Sequence, residues 1–319
     1  MAVRQFRVEA FARGALYRLR LEFSALGHRL WFPVVLIRGR ERGPVLAASA
    51  GVHGDEYEGI RAILDVVAEL DPGQMRGDLL AVPVVNVAAF ECGARRSPLD
   101  GADLARVFPG SPDGAPSEVL AWEFDHQILA QADFYIDLHS GGLTWEMPTL
   151  VGYDASDSRA RAAAFAFGAP VVWTHPDTPP GRTLSAALAR SVPCLYAEAR
   201  GGGRIDAADL SIYRRGLRNL MRHLGILAGM PETGPPSIEL CGKGDLEDSL
   251  RATQPGFLRP EVVLLEKVAE GRLLGVLWGL DGRPLEAYYA PRDGRVVMIH
   301  ACPRVAPGEP LFFVTGAAD

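Results

Sequence analysis

Residues 44–59 read PVLAASAGVHGDEYEG, and this stretch decides the fold. Val45–Ala50 is a short apolar run bounded by turn residues, which reads as a buried and parallel strand. From Gly59 to Leu70 the apolar residues recur at helical spacing, and Asp71-Pro72-Gly73 stops that pattern. His53 and Glu56 therefore sit where a buried strand becomes a helix. In α/β proteins a rigid sheet holds the loops at such strand ends, and chemistry gathers there. A His and a Glu three apart at a helix start point the same way. Together they supply two of the three protein ligands of a catalytic zinc. The competing explanation is that His53 caps the helix and Glu56 is a solvated first-turn acid favoured by the helix dipole. A third ligand decides between them.

Working outward, residues 3–10 and 16–23 alternate apolar and polar and read as a β-hairpin or two edge strands, and Leu30–Ile37 is a further strand. Leu79–Val85, Phe134–Leu138, Val171–Trp173 and Pro193–Ala197 read as strands. They alternate with helical segments at Ser117–Leu129, Ser158–Phe167, Leu184–Arg190 and Asp206–Leu227. This alternation predicts an α/β fold, a mostly parallel or mixed sheet with helices on both faces. After a Gly/Pro-rich linker, Gly229–Pro236, the texture becomes short strands with frequent turns. The expected organisation is a catalytic domain over 1–232 and a small all-β domain over 237–319.

The chain has 319 residues, 48% hydrophobic and 23% charged, as expected of a soluble globular protein. No apolar run is long enough to span a membrane, and the N-terminus has no secretory pattern. Cys92, Cys194, Cys241 and Cys302 lie far apart without CxxC spacing, which argues for a reducing cytoplasm. A net charge of −6 argues against nucleic acid or an anionic membrane as partner.

The polar groups cluster at the ends of the buried strands: His53 and Glu56, Asn86, His139 and Glu198. His139 is the natural third ligand, giving two imidazoles, a carboxylate and an open position for water. Asp55 and Glu58 flank Glu56 and compete with it as the ligand, although the i,i+3 register favours Glu56. Glu198 is then the general base, its alternative being a salt bridge to Arg200 or Arg204. Asp137, two residues before His139, either orients that ligand or pairs with a local arginine. The loop 93–110 carries Arg95, Arg96 and Arg106 towards the same edge. Amide hydrolysis needs one cation for the oxyanion and another for a substrate carboxylate. Asn86 is a further candidate for substrate contact. His175 and Arg182 bound the Pro-rich loop 176–181, which reads either as a lid whose residues touch substrate or, the favoured reading, as a solvated loop.

His53-x-x-Glu56, Asp100-Gly101, Arg106 with Phe108-Pro109-Gly110, Asp137-x-His139-Ser140 and Glu198-x-x-Gly201 occur in one order and spacing. In this the chain resembles the succinylglutamate desuccinylase/aspartoacylase family of the zinc carboxypeptidase superfamily, and within it the N-acetyl-diaminobutyrate deacetylase branch. The resemblance implies one Zn²⁺ per subunit on His53, Glu56 and His139, Glu198 as general base, Arg95 polarising the carbonyl, Arg106 binding a carboxylate, and a homo-oligomer. It implies a deacylase for small N-acyl amino acids or related amides. The family pattern Asp-Leu-Asn-Arg is here Asp103-Leu104-Ala105-Arg106, so Ala105 removes a side-chain hydrogen bond to carboxylate. Arg200 stands where that branch tends to have a small residue, and an added cation there could restore the anchor. Residues 256–314 resemble a lipoyl-type β-sandwich, but the hairpin Asp281-Gly282-Arg283 lacks the carrier lysine, which implies a structural role. The alternatives are a peptidase or esterase with the same metal core, and a non-catalytic zinc- or ligand-binding homologue. A serine hydrolase is disfavoured because no Gly-x-Ser-x-Gly elbow follows a strand.

Overall fold

The computed structural model describes residues 2–244 and 246–316. The outermost ends of the two expected domains, residues 1 and 317–319, lie outside the described residues, as does Asp245. The first part of the chain runs β1 (Ala2–Val3), β2 (Ala15–Ala25), β3 (His28–Arg38), β4 (Glu41–Ala50), α1 (Glu58–Glu69), β5 (Arg76–Val82), α2 (Val87–Glu91) and α3 (Pro116–Gln127). It continues β6 (Phe134–Ser140), β7 (Trp145–Glu146), β8 (Leu150–Asp154), α4 (Ser158–Phe167), β9 (Val171–His175), α5 (Thr183–Ala189), β10 (Cys194–Ala199), α6 (Ala207–His223) and β11 (Ile238–Cys241). After a 3-10 turn at Leu246–Asp248 the remainder is β: β12 (Leu250–Arg251), β13 (Gly256–Pro260), β14 (Lys267–Val268), β15 (Leu273–Trp278), β16 (Pro284–Tyr289), β17 (Gly294–His300), β18 (Arg304–Val305) and β19 (Pro310–Gly316).

One mixed sheet has the strand order β1-β2-β3-β5-β4-β6-β10-β8-β9-β11. Its centre, β5-β4-β6-β10, is parallel throughout. Strand parity assigns each side chain to a face. Leu46, Ala48, Ile136, Leu138, Leu195 and Ala197 join α1, α4 and α6 in one core. Ala47, Leu80, Tyr135 and Cys194 join α3 and α5 in the other. Both faces are thus covered, as a parallel sheet requires. Small residues in β4 let α1 come close: a Cβ on Gly59 would lie 2.6 Å from the Leu138 Cβ and 3.0 Å from the Ala50 Cβ. That approach carries the preceding turn, with His53 and Glu56, over the strand ends.

Three features differ from the pattern read in the sequence. The N-terminal hairpin is β2–β3, turning at Leu26-Gly27, both at positive φ. Residues 3–10 instead tuck Phe6 and Val8 into the core, their backbone N–H groups donating to the Gln127 and Gln131 side chains. Strand β8, antiparallel to β10, escaped the sequence reading because Gly152 interrupts its pattern. Glycine is required there, since a Cβ would meet the Tyr196 ring at 2.0 Å. Residues 238–241, which follow the linker, pair with β9 and extend the large sheet. Beyond them, the sheets β12-β19-β17-β14 and β16-β15-β13-β18 share a core that includes Leu258, Leu277, Val296 and Phe312. Strand β7, from the first part of the chain, pairs with β17.

Gly59 is the second residue of α1, where replacing glycine by alanine ordinarily stabilises by less than the roughly 1 kcal/mol of a helix interior. At Gly59 the contact with Leu138 reverses the sign, so Gly59→Ala is expected to destabilise by about 1–3 kcal/mol. Urea unfolding of the two proteins measures this.

Candidate active site

His53 and Glu56 leave the turn after β4, and His139 ends β6. Because β6 and β10 are parallel neighbours, Glu198 lies directly opposite His139 in register. Parity puts Asp137 on the same face as His139, and Tyr196 on the same face as Glu198.

Glu56 is 2% exposed, so it is not a solvated first-turn acid. Nor does His53 cap α1, whose N-cap residue is Tyr57 with no side-chain cap bond. Asp55 and Glu58 are engaged elsewhere: Asp55 accepts from Leu143 N (3.2 Å) and Glu58 from Gly201 N (3.0 Å). Burial raises the pKa of both above the usual carboxylate range.

The two imidazoles are arranged alike. His53 Nε2 is 3.0 Å from Asp103 Oδ1 and His139 Nε2 is 2.9 Å from Asp137 Oδ2. Asp137 also accepts from Ser49 Oγ (2.6 Å) and Thr183 Oγ1 (2.5 Å). Both Nδ1 atoms turn to Glu56, His53 to Oε1 and His139 to Oε2, each at 2.8 Å. Ligand atoms of His53, Glu56 and His139 lie within 4.8 Å of one another. A carboxylate only accepts hydrogen bonds, so each Nε2 carries its hydrogen. A neutral ring then has only a lone pair at Nδ1, facing the acceptor oxygens of Glu56. A second proton or a cation between them resolves that opposition. Two imidazole nitrogens and a carboxylate, with carboxylates on the outer nitrogens, are a donor set that fits zinc.

The pKa shifts follow from this geometry. Burial works against the charge on His139, but Asp137 and Glu56 outweigh it and hold the ring well above the usual imidazole range. Burial likewise opposes ionisation of Glu56, Asp137 and Asp103. The two histidines nevertheless drive Glu56 well below the usual range, His139 lowers Asp137, and His53 lowers Asp103. Glu198 is the contrary case. Its Oε2 is buried without a hydrogen-bond partner, and burial, reinforced by Glu56 and Asp137 against the pull of His139 and Arg95, pushes it up to about 8.

His53, Glu56, His139 and Glu198 line a cavity of about 330 Å³. Arg95 reaches it, donating to Glu56 Oε1 (2.9 Å) with its guanidinium carbon 4.7 Å over the Trp145 ring. Arg106 lines it with Ala105 and lies 3.5 Å from Glu247.

Three expected substrate contacts lie elsewhere. Arg96 is exposed and donates to Gly101 O, because adjacent residues of an irregular loop point apart. Arg200 is exposed, where the chain has already left β10. Asn86 is buried as the N-cap of α2, accepting from Ala89 N (3.2 Å), and is not among the lining residues. For His175 and Arg182 the less favoured of the two readings fits, since both line the cavity. His175 bonds Gly242 O (3.0 Å) and Tyr196 Oη (2.6 Å), and burial lowers its pKa to about 4. Asp103, Trp145, Tyr196 and the C-terminal Lys243 and Glu247 were not anticipated as parts of the site. Only Asp103 carried a signal, as a capping residue two positions before Ala105, whose N–H it accepts at 3.0 Å.

The succinylglutamate desuccinylase/aspartoacylase catalytic domain matches residues 42–224. The chain belongs to this family. It is 32% identical to the N-alpha-acetyl-L-2,4-diaminobutyric acid deacetylase of Halomonas elongata over 275 residues, 82% of this chain and 79% of that protein. Its structure is similar to the product-bound ectoine utilization protein EutE (DoeB) of Ruegeria pomeroyi, with a TM-score of 0.87 and 30% identity over 96% of this chain and 97% of that one. A succinylglutamate desuccinylase/aspartoacylase from Rhodobacter sphaeroides gives a TM-score of 0.84 and 29% identity over 96% and 97% of the two chains. Among the described residues no helix is long and apolar enough to cross a membrane.

The titrations predict how metal-free protein responds to pH. Glu198 rises from 4.5 to about 8 on folding, and His139 rises above 6.5. A raised group contributes stability that is complete below its unfolded pKa and is lost as pH climbs through the folded value. The contributions of Glu56, Asp103 and Asp137, all lowered, are complete above their unfolded values of about 4 and fade only in acid. Chelator-treated protein is therefore expected to lose stability from about pH 5 to about pH 9. Glu198→Gln is expected to flatten part of that loss, read from melting temperatures across the range.

Proposed function

We propose that this protein is a zinc-dependent hydrolase that cleaves the amide bond of a small N-acyl amino acid or a related amide. The observation that carries the proposal is the convergence of His53 Nδ1 and His139 Nδ1 on the Glu56 carboxylate, with Asp103 and Asp137 behind the two rings and an unpartnered Glu198 oxygen across from them. In this reading His53, Glu56 and His139 hold the ion, and the ion, when bound, polarises the scissile carbonyl and lowers the pKa of water.

The rest falls to the chain's own residues. Glu198 Oε2 takes the proton of the attacking water and returns it to the leaving nitrogen, so that the products are a carboxylate and an amine. In the metal-free site burial pushes Glu198 up to about 8; beside a dication held by the neighbouring residues that shift is opposed, and the carboxylate form that a general base needs is favoured. Arg95, at the cavity wall, stabilises the oxyanion that develops on the carbonyl. Arg106 binds the substrate carboxylate, and Arg182, which lines the same cavity, compensates for the hydrogen bond that Ala105 cannot make.

The cavity's size, and its lining by Lys243, Gly244, Glu247 and Asp248 from beyond the sheet, favour a small amide over a long peptide. The deacetylase name of the Halomonas relative supports an N-acetylated amino acid, and N-acetyl-2,4-diaminobutyrate is the first compound to try.

The test is hydrolysis of N-acetyl and N-succinyl amino acids, with and without a free carboxylate, by zinc-loaded protein. The expected result is release of the acid from one class and its loss after chelation. Glu198→Gln is expected to lower kcat by about 10²–10⁴-fold with bound zinc unchanged. Full activity in Glu198→Gln, or in metal-free protein, would sink the proposal.

A further inference from the structure

Arg95 lies in the irregular segment between α2 and the turn at Leu104–Arg106, on a long and flexible side chain. Two carboxylates face it: Glu56 Oε1 at 2.9 Å, and Asp103 Oδ2 at 3.8 Å, too far for a hydrogen bond. The Glu56 contact is one for which a cation on Glu56 competes. What remains is the face of the guanidinium, which lies on the Trp145 ring with its carbon 4.7 Å from the ring centroid. Cation–π attraction works at that distance and is strengthened where water is excluded; Trp145 is 9% exposed.

Trp145 is itself fixed from a distant part of the chain. In β7 it pairs with His300 of β17, and Ala301 N donates to Thr144 O at 2.8 Å. The indole belongs to a buried cluster with Val297, Met298 and Phe313 from the C-terminal sheet. Its Nε1 is buried with no hydrogen-bond partner, so packing and the ring face hold it rather than a bond from its N–H.

We infer that Trp145 is a positioning residue for the reaction: its ring holds the Arg95 guanidinium at the cavity wall, and the C-terminal sheet holds Trp145 through β17. The β region after the linker thereby becomes a working part of the site. This rests on the role given above to Arg95.

A double-mutant cycle tests it, with Trp145→Leu, Arg95→Ala and the pair, each zinc-loaded. Trp145→Leu is expected to lower kcat by roughly 3–30-fold with KM nearly unchanged and zinc content intact. Trp145→Phe, which keeps an aromatic face, is expected to recover most of the loss. In the Arg95→Ala background the Trp145 substitution is expected to cost nothing further in kcat. The same pair is expected to couple in the unfolding free energy of chelator-treated protein, a readout independent of activity. Losses that simply add, in both readouts, would overturn the inference alone. Unchanged kcat in Arg95→Ala would overturn the role of Arg95, and the inference with it. If Trp145→Leu does not fold, Trp145→Met, which fills the space without an aromatic face, takes its place in the cycle.

Discussion

Glu56 is a buried carboxylate shared by four nitrogens, and the site is built around that constraint. His53 and Arg95 meet one oxygen, and His139 and the Ser140 backbone N–H meet the other. Burying a lone carboxylate costs several kcal/mol, so positive charge has to be drawn in around it. The two rings supply it only if their inner nitrogens carry protons or share a cation, because Asp103 and Asp137 already occupy the outer nitrogens. One arrangement accounts for the raised His139, the lowered Glu56 and the match to a dication.

The sheet makes this arrangement possible. Parallel β4, β6 and β10 end along one edge, and the in-register pairing of His139 with Glu198 sets an acid beside the cluster without making it part of it. In the metal-free site burial, with no hydrogen bond to its Oε2, raises Glu198 while Glu56, Asp103 and Asp137 are lowered. The small residues that let α1 lie close serve the same end, since they fix the turn that carries Glu56.

The parts of the site on regular elements were legible in the sequence. His53 and Glu56 sit at a strand-to-helix change, and Asp137, His139 and Glu198 follow from strand parity. The alternating pattern likewise yields the sheet and its two helical layers. Legibility fails where no period operates. Arg95 and Arg96 are neighbours on an irregular loop, and nothing local says which one turns inward. Asn86 at a strand end suits a ligand and a helix cap equally, and the structure makes it a cap. Parity would send Arg200 to the Glu198 face, but β10 has ended at Ala199. Trp145 stands on a two-residue strand whose partner is more than 150 residues later in the chain. His175 is drawn to the cavity by Gly242, across the linker. These placements are tertiary, and a window of sequence does not contain them.

The most direct test of the account is the identity of whatever bridges His53, Glu56 and His139. Crystals of protein purified without chelator, with data collected on both sides of the zinc absorption edge, read it out. The account predicts one anomalous peak per chain, in contact with all three side chains and present only above the edge. Hydrolytically active crystals with no peak there would contradict it.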